Sequence, residues 1–183
     1  GSNNFAENNI TSADQATDTP TNNFCTLNVI ANLNALVYTE GGTVASTGTG
    51  GNVKYHAEAT MGFSSGKWYF EAVKVGGNVG SAIGIGNEPS GTGSGDNIFY
   101  YSNGNKYDDD GSASYGDAYS NGEVIGVAFD VDNQTIEFYN EGVSQGELTS
   151  AFVGGEHYFP QGWDGSGSLY AELIYNFGQD SSF

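Results

Sequence analysis

This chain has no arginine and only four lysines, Lys54, Lys67, Lys74 and Lys106, against 22 acidic side chains, which leaves it at −18. Phosphate recognition needs cationic side chains, so nucleic acid is excluded as a direct partner. Cysteine occurs once, at Cys25, and no intrachain disulfide can form. Proline is scarce, with three residues. No apolar run approaches the roughly 18 residues of a membrane-spanning helix, and no basic segment leads into a shorter apolar one as in a secretory signal, so no membrane partner is expected. Apolar residues nowhere recur at three-and-four spacing over a long window, which removes long helices. Self-similarity at a period of about 20 to 50 residues is also lacking, which argues against propellers and solenoids.

What is abundant points to β-structure. Twenty-nine Gly, twelve Tyr and eleven Phe describe many short strands joined by tight turns. The clearest stretch is EVIGVAFDVDNQTIEFYNEG at 123–142. Ile125, Val127 and Phe129 share one face of a first strand, Ile136 and Phe138 share one face of a second, and residues 130–134 supply the turn between them. The other face of the first strand holds Val124, Gly126 and Ala128, whereas that of the second holds Thr135, Glu137 and Tyr139. The first strand is therefore expected near the middle of a sheet and the second nearer solvent.

Residues 1–23 are polar, rich in Asn, Thr, Asp and Ser, and read as a linker or arm with Phe5 and Ile10 as its anchors. Residues 24–183 read as one β-sandwich, and the stop just after a final strand leads us to expect a piece of a longer chain. Besides the hairpin, short strands are predicted over 24–30, 35–39, 43–46, 53–61, 66–75, 81–86, near 99–101, 106–107 and 114–115, then 143–148, 157–161 and 169–177. In 66–75, GKWYFEAVKV, the alternation puts Trp68, Phe70 and Ala72 inward and Lys67, Tyr69 and Glu71 outward. About a dozen short strands at this spacing make the fold class all-β, an antiparallel two-sheet β-sandwich.

Several pieces, in one order, resemble the SPRY domain, a concanavalin A-like jelly roll. GKWYFE at 66–71 resembles the family's G-K-x-Y-[WF]-E strand, and SAIGIG at 81–86 resembles its small I-G-[IV]-G strand. EVIGV at 123–127, DVDN at 130–133 and IEFYNEGV at 136–143 resemble its G-D-V-I-G-V…D-x-D-N-x-T-I-x-F-Y-x-N-G-V core. Phe159-Pro160 and Asn176-Phe177-Gly178 match its later strand start and its closing N-F-G. The likeness covers residues 24–178. A narrower one is to SPRY-like modules of marine bacteriophage tail-fibre and virion structural proteins, whose wording is similar to DTPTNNFCTLN at 18–28, YYSNGNKY at 100–107 and GVSQG at 142–146. The chain departs from the usual pattern at Glu123, at Glu141 and at Gln161-Gly162-Trp163.

The resemblance implies a non-catalytic binding or display module on a phage virion, at the tail fibre or capsid surface. Its loops at one end of the sandwich would contact a host-surface glycan or protein. It leaves open a purely structural segment that meets other virion chains or copies of itself as a homo-oligomer. A lone cysteine suits a virion protein assembled in a bacterial cytoplasm, as it suits any intracellular domain.

Retaining glycosidases of this shape set two carboxyls about 5 to 5.5 Å apart, from an E-x-D-x-x-E strand. No such spacing occurs, and no enzyme is expected. His56 and His157 without a nucleophile elbow support no triad, and His56 is expected on a strand's polar face. Asp108-Asp109-Asp110-Gly111 is the metal candidate, since Ca²⁺ takes hard oxygens on a glycine-relieved turn, though an exposed acidic turn has the same composition. The ligand-like set is Tyr100, Tyr101, Tyr107, Tyr115 and Tyr119 with Trp163 and Asp164, because aromatic faces beside carboxylates and amides suit sugar rings. The same tyrosines would equally fill a sandwich or a subunit contact.

A surface of one sign repels itself until salt shortens the Debye length, which falls to roughly 3 Å near 1 M. The melting temperature is therefore expected to rise with NaCl, and a flat or falling curve between low and marine salt would refute this.

Overall fold

The computed structural model describes residues 23–30, 36–47, 55–76, 80–87, 96–108, 111–149, 152–153, 155–164 and 172–183. The polar arm lies outside them except for Asn23, as do Asp109 and Asp110. Among the described residues the chain forms β1 (Leu36–Thr39), β2 (Val44–Thr47), β3 (Tyr55–Glu58), β4 (Lys67–Gly76), β5 (Ser81–Gly86), β6 (Asn97–Tyr101) and β7 (Asn105–Asp108). There follow β8 (Gly111–Ser114), β9 (Val124–Asp130), β10 (Thr135–Asn140), β11 (Val143–Thr149), β12 (Phe159–Asp164) and β13 (Glu172–Asn176). One three-residue 3-10 turn, Glu40–Gly42, is the sole helical piece among them.

Two antiparallel sheets result. The larger runs β1-β2-β13-β4-β9-β10-β11 and the smaller β3-β12-β5-β6-β7-β8. The hairpin expected from sequence is β9 and β10, with Phe129 opposite Ile136 and Val127 opposite Phe138. β9 sits beside the middle strand β4, and β10 has only β11 between it and the sheet edge. The stretch expected to be a strand over 24–30 makes a single bridge, Leu27 to Ala59.

Alternation builds the core. Ile125, Val127, Phe129, Ile136, Phe138 and Phe70 of the larger sheet face Ile83, Ile85, Ile98 and Tyr100 of the smaller, all buried. Each such aliphatic or aromatic side chain contributes about 1.5 to 3 kcal/mol relative to exposure. Trp68 obeys the predicted inward register yet is 43% exposed, because it lies at the sandwich end where the opposite sheet no longer covers it.

His56 takes the polar face of its strand, as expected, but not an exposed place on it. It is buried, on the face of β3 opposite to core residue Ala57, with its ring edge-on to Trp163 at 6.3 Å. The outer face of the smaller sheet is thus partly a covered surface. Glu58 and Gln161 are buried there too, the Gln161 amide donating to the Glu58 carboxylate at 3.2 Å. Burial raises the Glu58 carboxyl above its ordinary pKa.

Two backbone constraints fix this frame. At Glu141 and Gly142 the backbone takes φ of +49° and +76°, the pair of left-handed residues that a tight hairpin turn demands. At Gly84, β5 and β6 approach so closely that a β-carbon would stand 1.9 Å from the Ile98 carbonyl oxygen. Backbone cannot yield there as a flexible side chain would. Gly84→Ala is expected to destabilise by about 2 to 4 kcal/mol, read as a lower urea midpoint; an unchanged midpoint would show that the two strands can separate.

Candidate functional site

After β8 the chain must leave the smaller sheet and enter the larger at β9, and the predicted tyrosines serve that crossing. The N–H groups of Tyr115 and Gly116 both donate to the Gly104 carbonyl, at 3.1 and 2.9 Å, and that of Tyr119 to Ser102 at 3.0 Å. From the other sheet, Gln145 of β11 accepts from the Asp117 N–H at 2.8 Å, and the Tyr115 hydroxyl donates to the Gly146 carbonyl. The Tyr100 hydroxyl donates to the Asp117 carbonyl, and the Tyr119 hydroxyl to the Tyr100 carbonyl at 3.0 Å. Rings of Tyr100, Tyr115, Tyr119 and Phe138 pack with centroids 5.0 to 5.9 Å apart.

This geometry divides the predicted ligand set. Tyr100 and Tyr119 are core residues, 0% and 3% exposed, and Tyr115 packs half-buried against them, so these three have little or no face to offer a ligand. Desolvation pushes the phenols of Tyr100, Tyr101 and Tyr115 up to about 12 and that of Tyr119 well above its ordinary value. Tyr101, Tyr107 and Trp163 lie on the outer face of the smaller sheet instead. Tyr101 meets Tyr107 edge-on at 6.4 Å, and Ala82 stands in register between Trp163 and Tyr101. Asp164 closes β12 beside Trp163.

The acidic triplet is represented by Asp108, whose carboxylate is engaged by the Lys106 ammonium in an ion pair. Its neighbours Asp109 and Asp110 lie outside the described residues. Among the described residues no group of three or more His, Cys, Asp or Glu is arranged to hold a metal ion.

A different site lies at the opposite end of the sandwich, where β4 and β10 begin and β9 ends. Trp68 stacks on Phe63 at 3.8 Å, fixed by its indole N–H donating to the Ser65 carbonyl at 2.8 Å. Below it an apolar pocket of about 230 Å³ is lined by Phe24, Cys25, Met61, Phe63, Phe129 and Phe177 among others. The Cys25 thiol is buried and its pKa raised by desolvation, which makes it a packing group. On the outer face of the larger sheet, an open cleft of about 400 Å³ runs over Ala128 between Lys67, Asp130, Thr135, Glu137 and Glu147. Trp68 and Phe129 border both hollows. The small side of β9 noted in the sequence, Gly126 and Ala128, is what leaves this floor low; the Tyr69 ring leans over Gly126.

The cleft's polar groups are held in place. Asp130 accepts from the Asn133 N–H at 3.0 Å and its amide at 2.6 Å, and pairs with Lys67 at 3.1 Å. These bonds, the Asn133 ones foremost, keep its carboxyl below the ordinary carboxylate pKa. Glu137 accepts from the Tyr139 hydroxyl at 2.6 Å and from Ser144, which lowers its pKa likewise. Sequence reasoning passed over this end because Trp68 fits a core alternation. The available signal was that it is the first inward residue of its strand, where cover runs out.

The SPRY domain family model matches residues 67–165, more than half of the chain. No curated protein matches it in sequence. Among solved structures the chain is similar to the SPRY domain of human HERC1, with a TM-score of 0.69 at 20% identity, covering 80% of this chain and 95% of that one. The TRIM65 PSpry domain gives 0.63 at 10% identity, covering 84% and 92%. Stonustoxin gives 0.62 at 14% identity, covering 84% of this chain but 27% of the toxin. Likenesses at such identities carry the fold alone.

The electrostatics yield an acid-side expectation. A carboxyl with a depressed native pKa adds stability above its unfolded pKa and loses it as pH falls through the native one. Asp130→Asn is therefore expected to lower the melting temperature at neutral pH and to flatten its fall between about pH 5 and pH 3. Parallel curves for the variant and the parent would contradict this.

Proposed function

The chain belongs to the SPRY domain family, and from that membership we propose a non-catalytic binding and display module of a phage virion or tail-fibre protein that contacts a host-surface glycan or protein. SPRY domains are protein-interaction modules. The observation that carries the reading to a place on this molecule is the exposed Trp68 stacked over an aromatic pocket beside a polar cleft. Large exposed aromatic groups over pockets are what interfaces use as anchors. The virion setting is supported by the lead-in at 18–28 and by the phage-like wording at 100–107 and 142–146.

A second reading, a structural segment that assembles with copies of itself, is favoured by exposed Val37 on β1, an edge strand of the larger sheet, and by exposed Val29 and Ile30 just after the Leu27 bridge. Light scattering combined with a host-glycan and host-protein array separates the two. A monomer with hits that weaken at least about tenfold in Trp68→Ala upholds the display reading. An obligate oligomer without hits upholds the structural one.

A further inference from the structure

The cleft beside Trp68 has an imbalance that the pocket alone does not explain. In the β10–β11 register Glu137 stands directly opposite Glu147, and both line the cleft with Asp130. Like charges directly opposed across strands are destabilising, and a cation between them relieves the repulsion. The lining lysine, Lys67, is already committed to Asp130. Glu137 is oriented by two hydroxyl donors and is held ionised. Three carboxylates that do not close into a metal-holding group suit a long cationic side chain better than an ion.

On the reading that the Trp68 end is the binding surface, we propose that its occupant is a partner-protein segment carrying an aliphatic or aromatic side chain for the Trp68–Phe63 pocket and a Lys or Arg for the Glu137–Glu147 cleft. β4 and β10 are separated by β9 alone, and strands lie roughly 4.8 Å apart, so the two sites are at least roughly 10 Å apart and the two side chains sit three or more residues apart on an extended segment. A second copy of this chain is a poor occupant. It carries −18; of its lysines Lys67 and Lys106 are paired, Lys74 is buried, and Lys54 lies outside the described residues.

The probe is a random twelve-residue peptide library selected on the intact 183-residue chain. Selected peptides are then titrated by Trp68 fluorescence in a Trp163→Phe background. The expected result is enrichment of an apolar residue three or more positions from Lys or Arg, with affinity about three- to tenfold weaker in Glu137→Gln/Glu147→Gln. Affinity should also fall as NaCl rises from about 50 to 500 mM. The two Glu→Gln changes lie at the surface and keep the shape, so this arm does not depend on Trp68→Ala folding. Peptides that need Trp68 but lack a basic residue, or ignore the double substitution, overturn the proposed chemistry and leave the pocket intact. Recovery of no Trp68-dependent peptide overturns the binding reading with it, and a neutral glycan that quenches Trp68 where peptides do not assigns the surface to sugar instead.

Discussion

The molecule depends on how its chain passes from one sheet to the other between β8 and β9. A crossing segment cannot borrow its hydrogen bonds from a ladder, and buried backbone groups left unpaired are costly. Here both sheets reach in to supply them. Gly104 and Ser102 bond the segment from the smaller sheet, Gln145 from the larger, and the Tyr100 hydroxyl meets it from the core. With those bonds made, β9 enters beside β4 in register, and the remaining core follows from simple alternation.

Much of that frame was legible in the residues. The period of two at 123–142 and 66–75 gave the strands at the middle of the larger sheet, and glycine spacing at 81–86 gave β5 to the residue. The departure at Glu141 shows where legibility stops. A left-handed backbone at +49° is uncomfortable for Glu, yet its carboxylate accepts from the Val124 N–H at 2.6 Å while its own N–H donates to the Val124 carbonyl at 2.9 Å. That compensation comes from a residue seventeen positions away, which no local pattern encodes. The short bridge at Leu27 is of the same kind, since it is set by Ala59 and by the Gly42 carbonyl rather than by its own stretch.

The site was harder to read than the fold, for a physical reason. Tyrosine density marks both binding faces and inter-sheet packing, because the same large ring with a polar tip serves either. Only the partner of each hydroxyl decides. Those of Tyr100, Tyr115 and Tyr119 find backbone carbonyls inside the molecule, whereas the exposed aromatic side chains include Tyr69 and Trp68, the latter assigned to the core by sequence periodicity. Periodicity reports direction relative to the sheet and says nothing of distance from the sheet's end.

The buried phenols carry one more consequence, and it is optical. Exposed tyrosines ionise near pH 10 and shift their ultraviolet absorption as they do. Tyr100 and Tyr115 hold their protons to about pH 12 and Tyr119 beyond its usual range, for as long as the sheets stay closed over them. In mild alkali the absorbance of the native protein therefore omits these inner phenols, which enter the spectrum when the sandwich opens. The crossing segment thus carries its own indicator of whether the two sheets are still joined.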